Sequence, residues 1–139
     1  MTRLELHPLS SEKRAGELAG LLERLHRARS RVVVWVADEG RRQILDEYLW
    51  TFRKLAFVPH LVWSSELGEV EDPVVLVGEP ENPNGATALV VGDEPPPGAW
   101  AATFDEVHDL IPPGPGGEER NAFWERWRED RTNAQGEET

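Results

Sequence analysis

Short apolar runs alternate with stretches of helical period along this chain. Arg3–Leu6 reads as a short strand closed by His7-Pro8. Behind it, Ala15, Leu18, Ala19, Leu22 and Leu25 recur at helical spacing, with Ser10 or Ser11 placed to cap the helix and Arg14, Arg24 and Arg27 on its solvent side. Val32–Val36 is a continuous apolar run without polar alternation, the pattern of a central strand buried on both faces. Asp38 then predicts the cap of a second helix that buries Ile44, Leu45, Tyr48 and Leu49. Val74–Val77 and Ala88–Val91 are two further short apolar runs, separated by the turn-rich segment 78–85. Pro95-Pro96-Pro97-Gly98 is another break, and Phe104–Ile111 is a last strand stopped by Pro112-Pro113. A Gly/Pro stretch, Gly114–Gly117, leads into a terminal helix from Glu118 to about Arg131. The alternation predicts a single α/β domain over residues 1–131: a mostly parallel sheet with right-handed crossovers and helices on both faces. Residues 132–139 are polar and expected to fray.

Composition narrows the function classes. The 139 residues include no cysteine, which removes disulfides, zinc–thiolate sites and thiol nucleophiles from consideration. No apolar run reaches the roughly 18–20 residues of a membrane span, and the first residues lack the apolar stretch of a secretory signal, so a cytoplasmic location is expected. The net charge of −11 is unevenly spread: residues 61–119 hold thirteen acids and no Lys or Arg. Beyond residue 60 the only arginines are Arg120, Arg126, Arg128 and Arg131. Such a chain is a poor autonomous nucleic-acid binder, because that binding rests on neutralising phosphates.

The Rossmann-like order of elements raises the question of a nucleotide. The loop after Val32–Val36 reads Ala37-Asp38-Glu39-Gly40-Arg41, with two carboxylates where a phosphate loop needs glycines and free N–H groups. His7, His26, His60 and His108 are far apart in sequence, and no pair has the i, i+4 spacing of a helical metal site. His108 and Asp109 could be drawn as a base and its orienter, but neighbours on a strand point to opposite faces. Glu66, Glu69, Glu71 and Asp72 lack the ordered spacing of a calcium loop and read as a solvated surface. No serine lies in a nucleophile elbow. The expectation is a binding protein without catalytic residues, metal or cofactor; a Rossmann-like enzyme or nucleotide-binding domain is the alternative.

The most distinctive segment is Leu45-Asp46-Glu47-Tyr48-Leu49-Trp50-Thr51-Phe52, followed by Phe57-Val58-Pro59-His60. These two blocks resemble the LDExLWTF…FVPH signature of the chi subunit of bacterial DNA polymerase III holoenzyme. Arg31–Val34 resembles that family's second strand, and Asp72–Val77 its PVLI strand, while Asn82 and Pro112 also fit. Glu125-Arg126-Trp127-Arg128, with Arg131 three residues on, resembles the C-terminal ERYKxYR helix. The resemblance spans about residues 3–131. It departs where Leu61–Ser65 replaces a Gly-rich stretch, where the first strand lacks its aromatic pair, and where Thr132–Gly136 replaces a closing GFxL.

The resemblance implies a non-catalytic accessory of the clamp loader with a Rossmann-like fold. It further implies binding of the acidic, Phe-ended tail of single-stranded-DNA-binding protein, and pairing with the psi subunit, the clamp loader or a helicase-type partner. On a helical wheel Arg120, Trp124, Trp127, Arg128 and Arg131 fall within about 100°. Guanidinium groups beside rigid aromatics suit such a tail, so these five are the candidate tail-binding residues. Two readings stand for the tryptophans: core anchors packed on the sheet, or one of them partly core with an arginine edge that binds. Trp50, Phe52 and Phe57, rimmed by Arg53 and Lys54, form the candidate docking surface for psi or another partner, with Trp50 expected to be partly exposed. Direct single-stranded-DNA stacking on tryptophans is a further alternative, opposed by the uniformly negative segment 61–119.

Overall fold

The computed structural model describes residues 2–9, 14–52 and 58–137, with side chains to Arg131. Six strands form one sheet in the order β1-β6-β5-β2-β4-β3, and every neighbouring pair is parallel. The strands are β1 (Arg3–Pro8), β2 (Val32–Trp35), β3 (His60–Val62), β4 (Val74–Val77), β5 (Ala88–Val91) and β6 (Glu106–Ile111). The helices are α1 (Arg14–Arg27), α2 (Glu39–Thr51), the single turn α3 (Gly98–Ala101) and α4 (Pro115–Glu137). A six-stranded parallel sheet with helices on both faces is the α/β arrangement expected from the alternating pattern.

The three central apolar runs are buried at every position because each strand faces two cores. Val32, Val34, Leu76, Val90 and Leu110 pack with Leu18 and Leu22 of α1 and Leu49 of α2. Val33, Val75, Leu89, Val107 and Phe104 pack with Trp124 and Trp127 of α4. Asp38 caps α2 as expected, its Oδ2 accepting from Arg41 N at 2.8 Å. The Ser10 and Ser11 cap lies outside the described residues.

The structure differs from the sequence reading at several points, beginning with β1, which runs through His7 to Pro8. Ile44, expected in the core, is 69 % exposed. The buried stripe of α2 is Leu45, Tyr48, Leu49 and Phe52, at i, i+3, i+4 and i+7, and Ile44 falls one step outside it. β6 begins at Glu106 rather than Phe104, whose buried ring meets Trp100 edge-on in the preceding turn. α4 begins three residues early, with Pro115 at its first position, and continues to Glu137. Gly117 in its first turn lies so close to the chain that a Cβ would sit 1.8 Å from the Pro112 carbonyl oxygen. β3 and α3 were not foreseen.

Candidate functional site

In an open parallel sheet, ligands bind at the carboxyl ends of the strands. Here those ends are filled by the protein's own side chains. Asp93, just after β5, accepts from the amides of Ala37 and Asp38 at 3.1 and 3.2 Å. These amides lead into α2, and the Arg41 amide in its first turn is taken by Asp38, so protein carboxylates sit on both where an anion would approach. Arg120 of α4 reaches the same crevice, donating to both Asp109 carboxylate oxygens at 2.9 and 2.8 Å and to the Asp93 carbonyl. A shallow crevice remains above, lined by Arg14, Arg41, Asp93, Glu94, Pro112 and Arg120.

Asp109 is fully buried in β6 and gathers three elements. Besides Arg120, it accepts from Trp124 Nε1 at 2.8 Å and pairs with Arg14 Nη2 at 3.5 Å. Arg14 also donates to the carbonyls of Leu110 and Val91, at 2.8 and 3.3 Å. Burial pulls the Arg14 guanidinium below its ordinary pKa, against the stabilising charge of Asp109. A buried carboxylate with paired, hydrogen-bonded cations is the arrangement low dielectric demands.

That network decides which residues of α4 meet solvent. Trp124 has no exposed surface and Trp127 retains 8 %, with its Nε1 donating to Gly98 O at 2.9 Å. The two indoles meet edge-to-face at 5.3 Å. Both tryptophans are therefore core, which corrects the expectation that one is only partly so: the seam of α4 that carries them is the one lying on the sheet. Arg120 is consumed by Asp109 and the Asp93 carbonyl. Arg128 is exposed, and Arg131 lies with its guanidinium carbon 4.7 Å above the Trp127 ring. Arg131 Nη1 is buried there, with no hydrogen-bond partner among the described residues.

At the opposite edge, Trp50 of α2 is 47 % exposed and stacks on His60 of β3, ring centroids 3.8 Å apart. His60 is buried, its Nδ1 within 2.7 Å of the Val58 carbonyl, which makes Nδ1–H the donor and leaves Nε2 unpartnered. Phe52 is half-buried against the α1–α2 core and 6.3 Å from the Tyr48 ring. Phe57, Arg53 and Lys54 lie outside the described residues.

Sequence reading missed a third cluster. Pairing of β1 with β6 sets Glu5 opposite His108 and Arg3 opposite Glu106, so alternation puts Arg3, Glu5, His7, Glu106 and His108 on one face. His7 Nε2 and His108 Nδ1 are 3.0 Å apart. Burial, then the neighbouring His108, lowers the His7 pKa, with Glu5 opposing. The only signal in sequence is Glu5 and His7 two apart on a strand, because His108 arrives through a pairing across 101 residues.

Sheet order, a crevice bridged by its own side chains and two exposed aromatic or cationic edges define the class: a parallel α/β protein whose Asp93 holds the amides at the entry to α2. The profile of the family described as "DNA polymerase III chi subunit, HolC" matches residues 1–135. The chain is 30 % identical over 115 residues to "DNA polymerase III subunit chi" of Pseudomonas aeruginosa, covering 80 % of this chain and 78 % of that protein. It is 25 % identical over 93 residues to "Probable DNA polymerase III subunit chi" of Rickettsia prowazekii, covering 66 % of this chain and 54 % of that one. The chain belongs to the DNA polymerase III chi subunit family, accessory subunits of the replisome. Among the described residues no helix is long and apolar enough to cross a membrane.

Proposed function

We propose that this chain is a non-catalytic, cytoplasmic adaptor that joins the acidic C-terminal tail of single-stranded-DNA-binding protein to the clamp-loader side of the replisome. The observation that carries the reading is the state of the α4 arginines. Arg120 is tied to Asp109, whereas Arg128 is exposed and Arg131 is half-buried on the Trp127 ring. Arg128 and Arg131 are then the groups that meet tail carboxylates, beside the Trp127 edge, while Trp124 and Arg120 hold the helix in position. The half-exposed Trp50, stacked on His60, belongs to the docking surface for psi, the clamp loader or a helicase-type partner, to which the sequence adds Phe52 and Phe57 as candidates. Residues 1–131 act as one unit, with 132–139 as a tail.

Calorimetry with a peptide ending in acids and a C-terminal Phe tests this. Arg128→Ala and Arg131→Ala should each cost about 1–3 kcal/mol, the worth of a charge-assisted contact. Unchanged affinity in the double variant would reject the α4 site. The alternative of a nucleotide enzyme is disfavoured by Asp93 and Asp38, whose carboxylates hold the amides that lead into α2 and the Arg41 amide in its first turn.

A further inference from the structure

We propose that Glu5, His7 and His108 form a binding site for a divalent late transition metal, with Zn2+ the best fit, clipping the edge strand β1 to β6. Three lone-pair atoms converge there. His7 Nε2 lies 3.0 Å from His108 Nδ1, Glu5 Oε2 lies 3.3 Å from that Nδ1, and the Glu5 and His7 atoms are 4.0 Å apart. A point equidistant from all three lies about 2.0 Å from each, which is the bond length of zinc to imidazole nitrogen and carboxylate oxygen. Two histidines and one glutamate are also a donor set zinc takes when it keeps a fourth position open.

The surroundings favour a cation over a hydrogen-bonded cluster. His108 is 2 % exposed, and its other nitrogen, Nε2, is buried without a hydrogen bond; the nearest carboxylate oxygen, Glu106 Oε1, is 3.4 Å away. Glu106, itself held by Arg3, is the carboxylate beside that nitrogen, without the alignment of a formed hydrogen bond. With the proton on Nε2, Nδ1 carries a lone pair, and a neutral His7 has at most one N–H at Nε2 to share between that lone pair and Glu5 Oε2. A metal ion satisfies all three lone-pair atoms. His7 also lines a groove of about 440 Å³ between β1 and α1, together with Gly16, Glu17, Gly20 and Arg24. Arg24 and Arg3, whose Nε pairs with Glu5 Oε1 at 3.1 Å, are cations that oppose metal there, and Glu5 and Asp109 are charges that favour it.

Titration of the purified, tag-free full chain with Zn2+ by calorimetry, in a buffer that does not coordinate metal, tests the site. The expected result is saturable 1:1 binding. His7→Asn and Glu5→Gln should each lower affinity by at least about tenfold, the lower bound for losing even an outer-shell partner. Co2+ substitution should give visible ligand-field bands, absent in the same variants. His108 is avoided because its burial makes a folding defect the expected result of replacing it; Glu5, at 38 % side-chain exposure, keeps the test open if the His7 variant folds poorly. Absence of saturable binding to the wild-type chain, or affinity unchanged in both variants, overturns the proposal.

Discussion

Replacing Asp109 by alanine tests whether the crevice network anchors α4. The substitution leaves Arg120 and Arg14 without their carboxylate and strands the indole N–H of Trp124, which has no exposed surface. Removing one partner of a buried ion pair costs about 3–5 kcal/mol, and an orphaned buried donor about 1–3 kcal/mol. The terms do not add, because the arginine side chains keep 27 % and 14 % exposure and recover part of their hydration. Trp124 cannot recover any without leaving the sheet. The expected loss is therefore about 3–5 kcal/mol in urea denaturation, within the range a small domain survives. Arg120→Met alone leaves Asp109 paired with Arg14 and should cost less. Combined with Asp109→Ala, it should recover about 1–3 kcal/mol relative to the sum of the single losses. A loss below about 1 kcal/mol for Asp109→Ala, or strict additivity in the double variant, would refute the reasoning that this carboxylate holds the helix.

The remaining predictions separate core from surface. Trp127→Ala should cost about 3–5 kcal/mol in the same denaturation assay, whereas Arg128→Ala should stay within about 0.5 kcal/mol of wild type and act on tail binding alone. Trp50→Ala should lose markedly less stability than Trp127→Ala, and co-purification with a clamp-loader partner should report its effect instead. Gly117→Ala should destabilise by about 1–3 kcal/mol, since the new methyl meets the Pro112 carbonyl; a neutral thermal midpoint would contradict that packing. Ile44→Lys, on an exposed position, should leave stability within about 0.5 kcal/mol.

How far the sequence could be read followed from how local each signal is. β2, β4 and β5 are continuous apolar runs, so their existence and double burial were legible, as was the Asp38 cap. β3 is three residues behind Pro59 and led by a histidine, too short for any period. α3 hides in a Pro/Gly segment that reads as a break, and its turn exists because Trp100 packs on Trp35 and Phe104. The wheel of α4 placed Arg120, Trp124, Trp127, Arg128 and Arg131 on one side, but a wheel does not say which edge of that side lies on the sheet. The deciding residue was Asp109, a carboxylate in the buried middle of β6. A carboxylate in a buried strand must find cations, and Arg120 and Arg14 were the ones in reach. The β1–β6 cluster depended on register, which no local pattern carries.

The crevice network and the exposed arginines are linked by helix geometry. Arg120, Trp124 and Trp127 follow the seam that faces the sheet, so Asp109 fixes both the rotation and the axial position of α4 at its N-terminal half. Arg128 comes one residue after Trp127 and rotates off that seam by about 100°, into solvent. Arg131, one turn beyond Trp127, returns far enough to lie on its ring. Eleven residues separate Arg120 from Arg131, which sets the two about 16 Å apart along the axis. The crevice where a nucleotide-binding relative of this fold would hold its ligand thus serves as the anchor of a helix whose far end presents charge. Anchor and charged end share no direct contact, so their energies should be separable. An Asp109 variant that stays folded should move denaturation midpoints far more than an Arg128 variant does. The Arg128 variant should move peptide affinity and little else.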